Sequence, residues 1–580
     1  DAVDYSIQRN EIWRAYFAGN DYYYQYSLDD FEGNVFGLIG RYMSLYIPTN
    51  DGAMIETEKS EGYIRGAWDM RYLQTLIDLV KLKDMYDVAV IGSGIGGLYA
   101  ASVLAKEGLK VIVLERHTVA GGLLQCFRRA GELFPTGVHY IGGLGPGQVL
   151  WRYLKYTGAL DHVAFTKMDP DCFDEYSFPG FQVKIPSGYE AFEARLASYF
   201  PGEVTAIRRF VSDMRETCSR FALYNLRPPT EGRKEYDDQR SLSDYLKSIT
   251  NDERLRLALS ANNILYGVPP GECPCFLHFL VFDSFLQGAW QVKGGSSALA
   301  GAFVKTLRSY GAEVRTSAEV KEICVENDCI SGVRLADGEF LKARQVIFSG
   351  HTKRLFNLIP PQVMRPAYRE RILSLEETMS LFGVCLLLKG RRSALDSHNK
   401  YIFAQNDVAS CYSQTLTGNR AKVDMVFCAG SCETNSRNGT ITLLAPMSYK
   451  EVAGWKESRP SSRPEEYRKM KAAVAGKIIE FVKDRIPEIL RDCEVVGAFS
   501  PLTLRDYVLA WDGSTYGVKK NIGQARSGKI MPRTRLKGLY LAGQNVEMSG
   551  IVGTVIGSVS CCSEILGARY LLDKINRETL

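Results

Sequence analysis

Three glycines and a carboxylate carry the first chemical signal in this chain. Gly92, Gly94 and Gly97 stand in G-x-G-x-x-G spacing, with Ser93 and Gly96 between them, and Glu115 lies 18 residues beyond Gly97. The first glycine allows a tight turn out of a strand, the second lets the backbone approach a pyrophosphate, and the third lets a helix pack close to a sheet. The N-terminus of that helix then faces phosphate charge. A carboxylate at Glu115 accepts hydrogen bonds from a ribose 2′-OH, which disfavours a 2′-phosphate ligand. No residues stand at metal-ligand spacing, so no metal is expected.

The elements that must position these groups are legible around them. Val88–Ile91 is a β-branched run typical of a buried strand, residues 98–107 read as a helix with Leu98, Ala101, Leu104 and Ala105 inward, and Val111–Leu114 is a second buried strand. Strand, glycine turn, helix, strand and acid in that order favour a dinucleotide site over a glycine-rich turn that binds nothing. Near the other end, residues 539–542 form a strand, Gly543 and Gln544 a turn, and a helix rich in small residues begins near 551. Gly550, Ile551, Val552 and Gly553 open that helix, so their N–H groups can point at a ligand.

Composition bounds the rest. At 580 residues the chain allows two to four domains, and 46% hydrophobic with 24% charged residues is ordinary globular composition. A net charge of +5 with no long basic run gives no argument for nucleic acid. Fourteen scattered cysteines are not a disulfide scaffold; they read as buried free thiols and suggest a reducing compartment. No run of 18 apolar residues marks a transmembrane helix.

Residues 1–85 are crowded with Tyr, Trp and Phe and read as an arm or small helical unit, with an amphipathic helix over 68–83; a membrane or partner surface is the alternative. Two helical stretches flank Pro201-Gly202, 227–241 is a polar loop or lid, and 276–290 is a buried core helix or, alternatively, the lining of a lipid tunnel. Residues 297–310 form a helix, and 311–349 alternate in the β manner and return to the first sheet. Helices near 364–375 and 464–484 and strands near 381–388, 423–428 and 439–444 follow. The expected fold is α/β: a cofactor domain of residues 86–165, 285–350 and 490–580, a discontinuous α+β substrate domain of 166–284 and 351–489, and the aromatic-rich extension.

These motifs together resemble the phytoene desaturase-like flavoproteins, a group that holds carotenoid desaturases, carotenoid isomerases and retinol saturases. The retinol saturase branch is the nearest in pattern. The resemblance rests on GSGIGGLYAASVLAKEG (92–108), ERHTVAGG (115–122), FPTGVHYIGG (134–143), YGVPP (266–270), GGSS (294–297), SPLT (500–503), GSTYG (513–517) and GLYLAGQNVEMSGIVG (538–553), and spans about 86–570. One segment departs from it: the family commonly has F-D-x-G where this chain has Phe134-Pro135-Thr136-Gly137, so Pro135 brings no carboxylate.

The resemblance implies a two-dinucleotide-type Rossmann domain that holds FAD non-covalently. Its contacts are Gly92, Ser93, Gly94, Gly96, Gly97, Glu115, Arg116, Gly121, Gly122, Leu123, Val320 at the adenine, and Gly543, Gln544, Gly550, Ile551 and Val552 at the flavin. It implies hydride exchange with a C–C bond of a lipophilic polyene: reduction as in retinol saturase, or alternatively desaturation or cis–trans isomerisation. His139, Tyr140, Tyr507 and Tyr516 are then the catalytic candidates, with Lys293 equally a surface residue. Only one complete dinucleotide fingerprint is present, so the electron source is open, with NAD(P)H one candidate. Such a substrate implies peripheral contact with a membrane surface and a cytoplasmic or membrane-peripheral location. A flavin amine oxidase and a non-catalytic FAD- or lipid-binding protein are the readings from other classes. Nothing in the sequence speaks to oligomeric state.

Overall fold

The structure is a computed structural model that describes residues 47–48, 54–55, 85–229, 240–412, 422–430, 437–524 and 527–580. The helix expected over 68–83, nearly all of the aromatic-rich extension and most of the polar loop 227–241 lie outside the described residues. The chain divides into Asp1–Lys81 and Leu82–Leu580. In the first unit, Ile47–Pro48 pairs antiparallel with Met54–Ile55.

In the second unit the β-branched run 88–91 becomes β1 (Tyr86–Ile91), and the glycine turn leads into α1 (Ile95–Lys106) and then β2 (Val111–Leu114). Helix α1 starts three residues earlier than the apolar spacing indicates. Every residue from Ile95 to Ala105 is buried, because α1 is covered on both sides and has no solvent face to mark its start. Strand β3 (Glu313–Arg315) adds parallel to β2. The alternating segment forms a meander of β4 (Val320–Glu326), β5 (Cys329–Leu335) and β6 (Phe340–Phe348), and β6 returns parallel to β1. From the far end of the chain, β7 (Leu539–Leu541) pairs parallel with β6. The sheet order is β3-β2-β1-β6-β5-β4, with β7 on β6. The central parallel strands are buried on both faces, at Val88–Ile91 of β1 and throughout β2, which is why they read as unbroken apolar runs.

Helix α2 (Gly550–Leu566) lies against α1 through small residues. Ser558 Oγ donates to the Gly96 carbonyl at 2.9 Å, and the Cys562 thiol approaches the Ala100 carbonyl at 3.7 Å. The first and last segments of this unit thus form one layer.

A second sheet of seven strands runs Phe181–Ile185, Asp174–Phe178, Asn399–Phe403, Met425–Gly430, Gly439–Met447, Ser380–Leu388 and Cys493–Phe499. Cys493–Phe499 completes it, so the sheet extends past the boundary expected at 489. Its strands alternate between two cores: Val384, Leu386 and Leu388 pack with Val474, Ile478 and Val482 of helix Glu465–Arg485, whereas Cys385, Tyr401 and Phe427 face the main core. The aromatic segment at 276–290 is chiefly the core helix Cys275–Leu286, with Phe279 and Phe282 buried against Phe210. It leads into Ala289–Val292, the centre of a three-stranded sheet with Ile141–Gly142 and Phe165–Lys167. Every cysteine among the described residues is a free thiol. No single helix among them is long and apolar enough to cross a membrane.

Candidate active site

The two glycine motifs meet at the carboxyl ends of β1 and β2, where ligands bind in sheets of this kind. Gly94 and Gly121 form an isolated parallel bridge, and a Cβ on Gly122 would stand 3.1 Å from Gly94 Cα. Ser93 ties the site together: its Oγ donates to Glu115 Oε2 at 2.6 Å and accepts from the Gly121 N–H at 3.0 Å. The Glu115 carboxylate also takes the N–H groups of Ser93 (3.0 Å) and His117 (2.8 Å). It is thereby held in place at the end of β2, with acceptor capacity left for a ribose hydroxyl.

The glycines have separable roles. A Cβ on Gly97 would collide with the Gly92 carbonyl oxygen, so this residue sets how closely α1 approaches β1. A Cβ on Gly96 would stand 2.8 Å from Gly543 Cα, so Gly96 sets the seam between the first and last motifs. A Cβ on Gly94 would meet no protein atom within 4 Å, nor would one on Gly550. Both helices begin without a side-chain cap, at Gly94 for α1 and Ser549 for α2. Open space beside two uncapped helix N-termini, with a carboxylate fixed at the end of β2, fits the pyrophosphate, the flavin ring and the ribose of FAD. Val320 starts β4, just after the point where the Ala318 N–H donates to the Glu115 carbonyl at 2.8 Å, which brings the start of β4 beside the end of β2.

Not every expected contact faces this space. The Arg116 guanidinium donates to the carbonyls of Asp506 (2.5 Å) and Tyr507 (3.4 Å), so it clamps the approach to the last motif. Leu123 packs where a Cβ on Gly137 would lie, 3.1 Å away, and so supports the next loop.

That loop carries His139 and Tyr140 into one cavity with Pro135, Gln291, Ser296 and Gly430. Hairpin Cys126–Arg129/Glu132–Pro135 enters it and strand Ile141–Gly142 leaves it. His139 Nε2 is buried with no protein partner, and its ring meets Phe427 edge-on at 5.8 Å. Burial pushes its pKa down to about 4, so the imidazole is neutral at physiological pH. Tyr140 stacks on Phe285 at 4.5 Å, and its hydroxyl reaches Asp174 Oδ2 at 3.0 Å and Tyr401 Oη at 2.6 Å.

The other two candidates are not among the residues that line this cavity. Tyr516 is in the GSTYG loop, where a Cβ on Gly267 of the YGVPP loop would stand 3.0 Å from its ring; burial raises its pKa well above the ordinary value. Tyr507 is 52% exposed, with its ring centroid 6.3 Å from that of His117, so it lies by the loop after β2 rather than beside His139. Lys293 is exposed. Sequence reasoning missed Asp174, Asn399 and Tyr401, which come from strands far along the chain. The alternation of Asp174, Tyr176 and Phe178 on one strand face was the available signal, because it sets an acid on an apolar face.

Comparison with known proteins now fits this geometry. The model for flavin containing amine oxidoreductases matches residues 95–405, more than half of the chain. The chain belongs to that family. An all-trans-retinol 13,14-reductase of Danio rerio is 28% identical over 539 residues, covering 84% of this chain and 87% of that protein. A neurosporene-forming phytoene desaturase of Cereibacter sphaeroides is 26% identical over 505 residues, covering 82% and 93%. Among solved structures, an oxidoreductase from Methanosarcina mazei shares the fold, with a TM-score of 0.58 at 18% identity over 82% of this chain and 99% of that one. The α/β flavoprotein fold and the flavin cofactor thus agree with the motifs at both ends of the second unit.

Proposed function

We propose that this flavoenzyme reduces a C–C double bond of a lipophilic polyene, in the manner of a retinol saturase. The observation that carries the reading is the similarity to a retinol reductase along 84% of the chain. The cavity beside His139 and Tyr140 mixes the apolar Pro135, Val138, Ile141 and Val292 with the polar Gln291 and Ser296, and His139 and Tyr140 are the titratable side chains among its described lining residues.

Bound FAD supplies hydride when reduced. The chain supplies the rest. Gly94 makes room for the pyrophosphate, Gly121 and Gly122 let the next turn pack against Gly94, Glu115 holds the ribose, and the first turn of α2 faces the flavin, where a helix N-terminus favours the anionic reduced form. Gln291, Ser296 and the neutral His139 orient the substrate. Tyr140 gives a proton to the alkene carbon next to the one that receives hydride. The electrons come from outside the chain, with a reduced nicotinamide using the substrate entrance as the proposed donor. The substrate's solubility places the enzyme at a membrane surface.

The test is anaerobic. Enzyme reduced with dithionite and mixed with all-trans-retinol should regain oxidised-flavin absorbance as the alkene is consumed. Reoxidation by an unsaturated polyene but not by its saturated counterpart supports the reading. Reoxidation by neither, in enzyme that oxygen reoxidises normally, contradicts it for this substrate class.

A further inference from the structure

Behind Tyr140 lies a group that the proposed reaction has not used. Asp174 is 1% exposed, on the first residue of its strand. Its Oδ1 accepts from Asn399 Nδ2 at 2.9 Å and its Oδ2 from the Tyr140 hydroxyl at 3.0 Å. The Tyr401 hydroxyl, 2.6 Å from that of Tyr140, closes the cluster. No cation is among these partners. A carboxylate withdrawn from water is normally paired with a cation or neutralised by a proton.

The surrounding elements supply no charge either. Ile185 stands opposite on the hairpin strand, Tyr176 and Tyr401 lie on the same side, and the Cys172 thiol contacts the Asp174 carbonyl at 3.6 Å. Phe285 of the core helix covers Tyr140. The nearest charged residues in sequence, Glu175 and Lys400, pair with each other at 3.2 Å on the opposite strand face. Tyr176 Oη and Asn399 Oδ1 have no protein partner, so the cluster keeps unused hydrogen-bonding capacity. Pro135, which lines the cavity itself, brings no acid.

We infer that Asp174 is the proton reservoir for Tyr140, and that its protonation state decides whether the Tyr140 hydroxyl can serve the cavity. The inference rests on the reading of that cavity as the site of alkene reduction. When the carboxyl is protonated, it donates to Tyr140 Oη, and the tyrosine's own proton is free to point at substrate. When it is ionised, it captures that proton as an acceptor. In the reductive step, one alkene carbon would take the hydride that bound reduced FAD supplies. The Tyr140 O–H bond breaks as a C–H bond forms at the other carbon. The Asp174 proton then passes to the tyrosine oxygen, and one proton taken up from bulk solvent restores the carboxyl, so that the alkene gains one hydride and one proton in all. Burial pushes the Asp174 carboxyl up to about 7, against the pull of the hydrogen bonds from Asn399, Tyr140 and Tyr401. The reservoir is therefore filled below neutrality and empties as pH rises through it.

Two measurements test this on the FAD-loaded protein. Infrared difference spectra between pH 5 and pH 9 should show the carbonyl stretch of a protonated carboxyl that disappears with a midpoint near neutrality. The band should be missing in Asp174→Asn and its midpoint displaced in both Tyr140→Phe and Tyr401→Phe. In parallel, the rate at which all-trans-retinol reoxidises the reduced enzyme should fall on the alkaline side in the wild type. Asp174→Asn should lose that alkaline limb and run roughly tenfold or more slower at pH 6, the lower end of general acid–base contributions being about a hundredfold. An Asp174 band titrating in the ordinary carboxyl range, or an unchanged alkaline limb in Asp174→Asn, overturns the inference. Full activity in Tyr140→Phe would instead defeat the reading of the cavity. If retinol does not reoxidise the wild type, that reading fails for this substrate, and the infrared midpoint in Tyr140→Phe decides the inference alone: an unmoved midpoint overturns it.

Discussion

Gly94 and Gly96 are two residues apart and should fail in opposite ways when given a methyl group. At Gly94 the backbone has φ −61° and ψ 168°, which alanine adopts without strain, and the added Cβ meets no protein atom within 4 Å. Gly94→Ala should therefore leave apoprotein stability within about 0.5 kcal/mol of wild type, or raise it slightly through the unfolded chain. The same methyl occupies the space assigned to the pyrophosphate. Overpacking of that kind costs about 1–3 kcal/mol, which weakens FAD roughly five- to 150-fold. At Gly96 the methyl would stand 2.8 Å from Gly543 Cα and 3.2 Å from both Gly543 N and Ser349 Oγ. Restoring an ordinary contact requires α1 and the last motif to separate by about half an ångström, again about 1–3 kcal/mol, but here drawn from the fold itself. Thermal unfolding of the apoproteins, followed by FAD titration read by quenching of flavin fluorescence, separates the two effects. A Gly94→Ala protein that binds FAD as tightly as wild type would refute the placement of the pyrophosphate. A Gly96→Ala protein with unchanged stability would refute the seam.

Other outcomes follow from the same geometry. Ser93→Ala removes one donor to buried Glu115 and the acceptor of the Gly121 N–H, so it should cost about 1–3 kcal/mol and weaken FAD, both readable in the same assays. His139, whose Nε2 is buried and whose pKa is depressed from 6.5 to about 4, binds its proton less readily folded than unfolded. Its contribution to stability is present above the unfolded pKa and is lost as pH falls through that window, by about 3 kcal/mol in all. Melting curves between pH 7 and pH 4 should therefore be flatter for His139→Gln than for wild type. Gly557→Ala would bring a Cβ within 2.7 Å of the Gly543 carbonyl; it should lower the melting temperature and loosen FAD together, because it pushes α2 off the last motif.

The parts of the fold that the sequence made legible are those whose signals are local. β1, the glycine turn and β2 are contiguous, and the meander from β4 to β6 alternates strictly enough to show its return to the first sheet. The start of α1 was hidden because the helix has no solvent face, and Cys493–Phe499 was assigned to the wrong side of a boundary because an edge strand after a long helix carries no mark of the sheet it joins. In the site, His139 and Tyr140 were found because they neighbour a recognisable loop. The cluster behind them was not, since Asp174 lies 34 residues from Tyr140 and 225 from Asn399, and only the sheet brings them together. Tyr507 looked equivalent to Tyr516 in sequence, but the helix Pro501–Val508 that carries it ends beside Arg116, which takes the carbonyls of Asp506 and Tyr507 and turns the ring outward.

The mass of the product tests the central claim most directly. The FAD-loaded protein, reduced with dithionite under anaerobic conditions, is incubated with all-trans-retinol and a panel of other polyenes, and the extracts are weighed by mass spectrometry. The account predicts a product heavier than its substrate by one dihydrogen, formed in step with flavin reoxidation and lost in Tyr140→Phe. A product of unchanged mass but altered retention would make the protein an isomerase, and unaltered polyenes throughout would contradict the account.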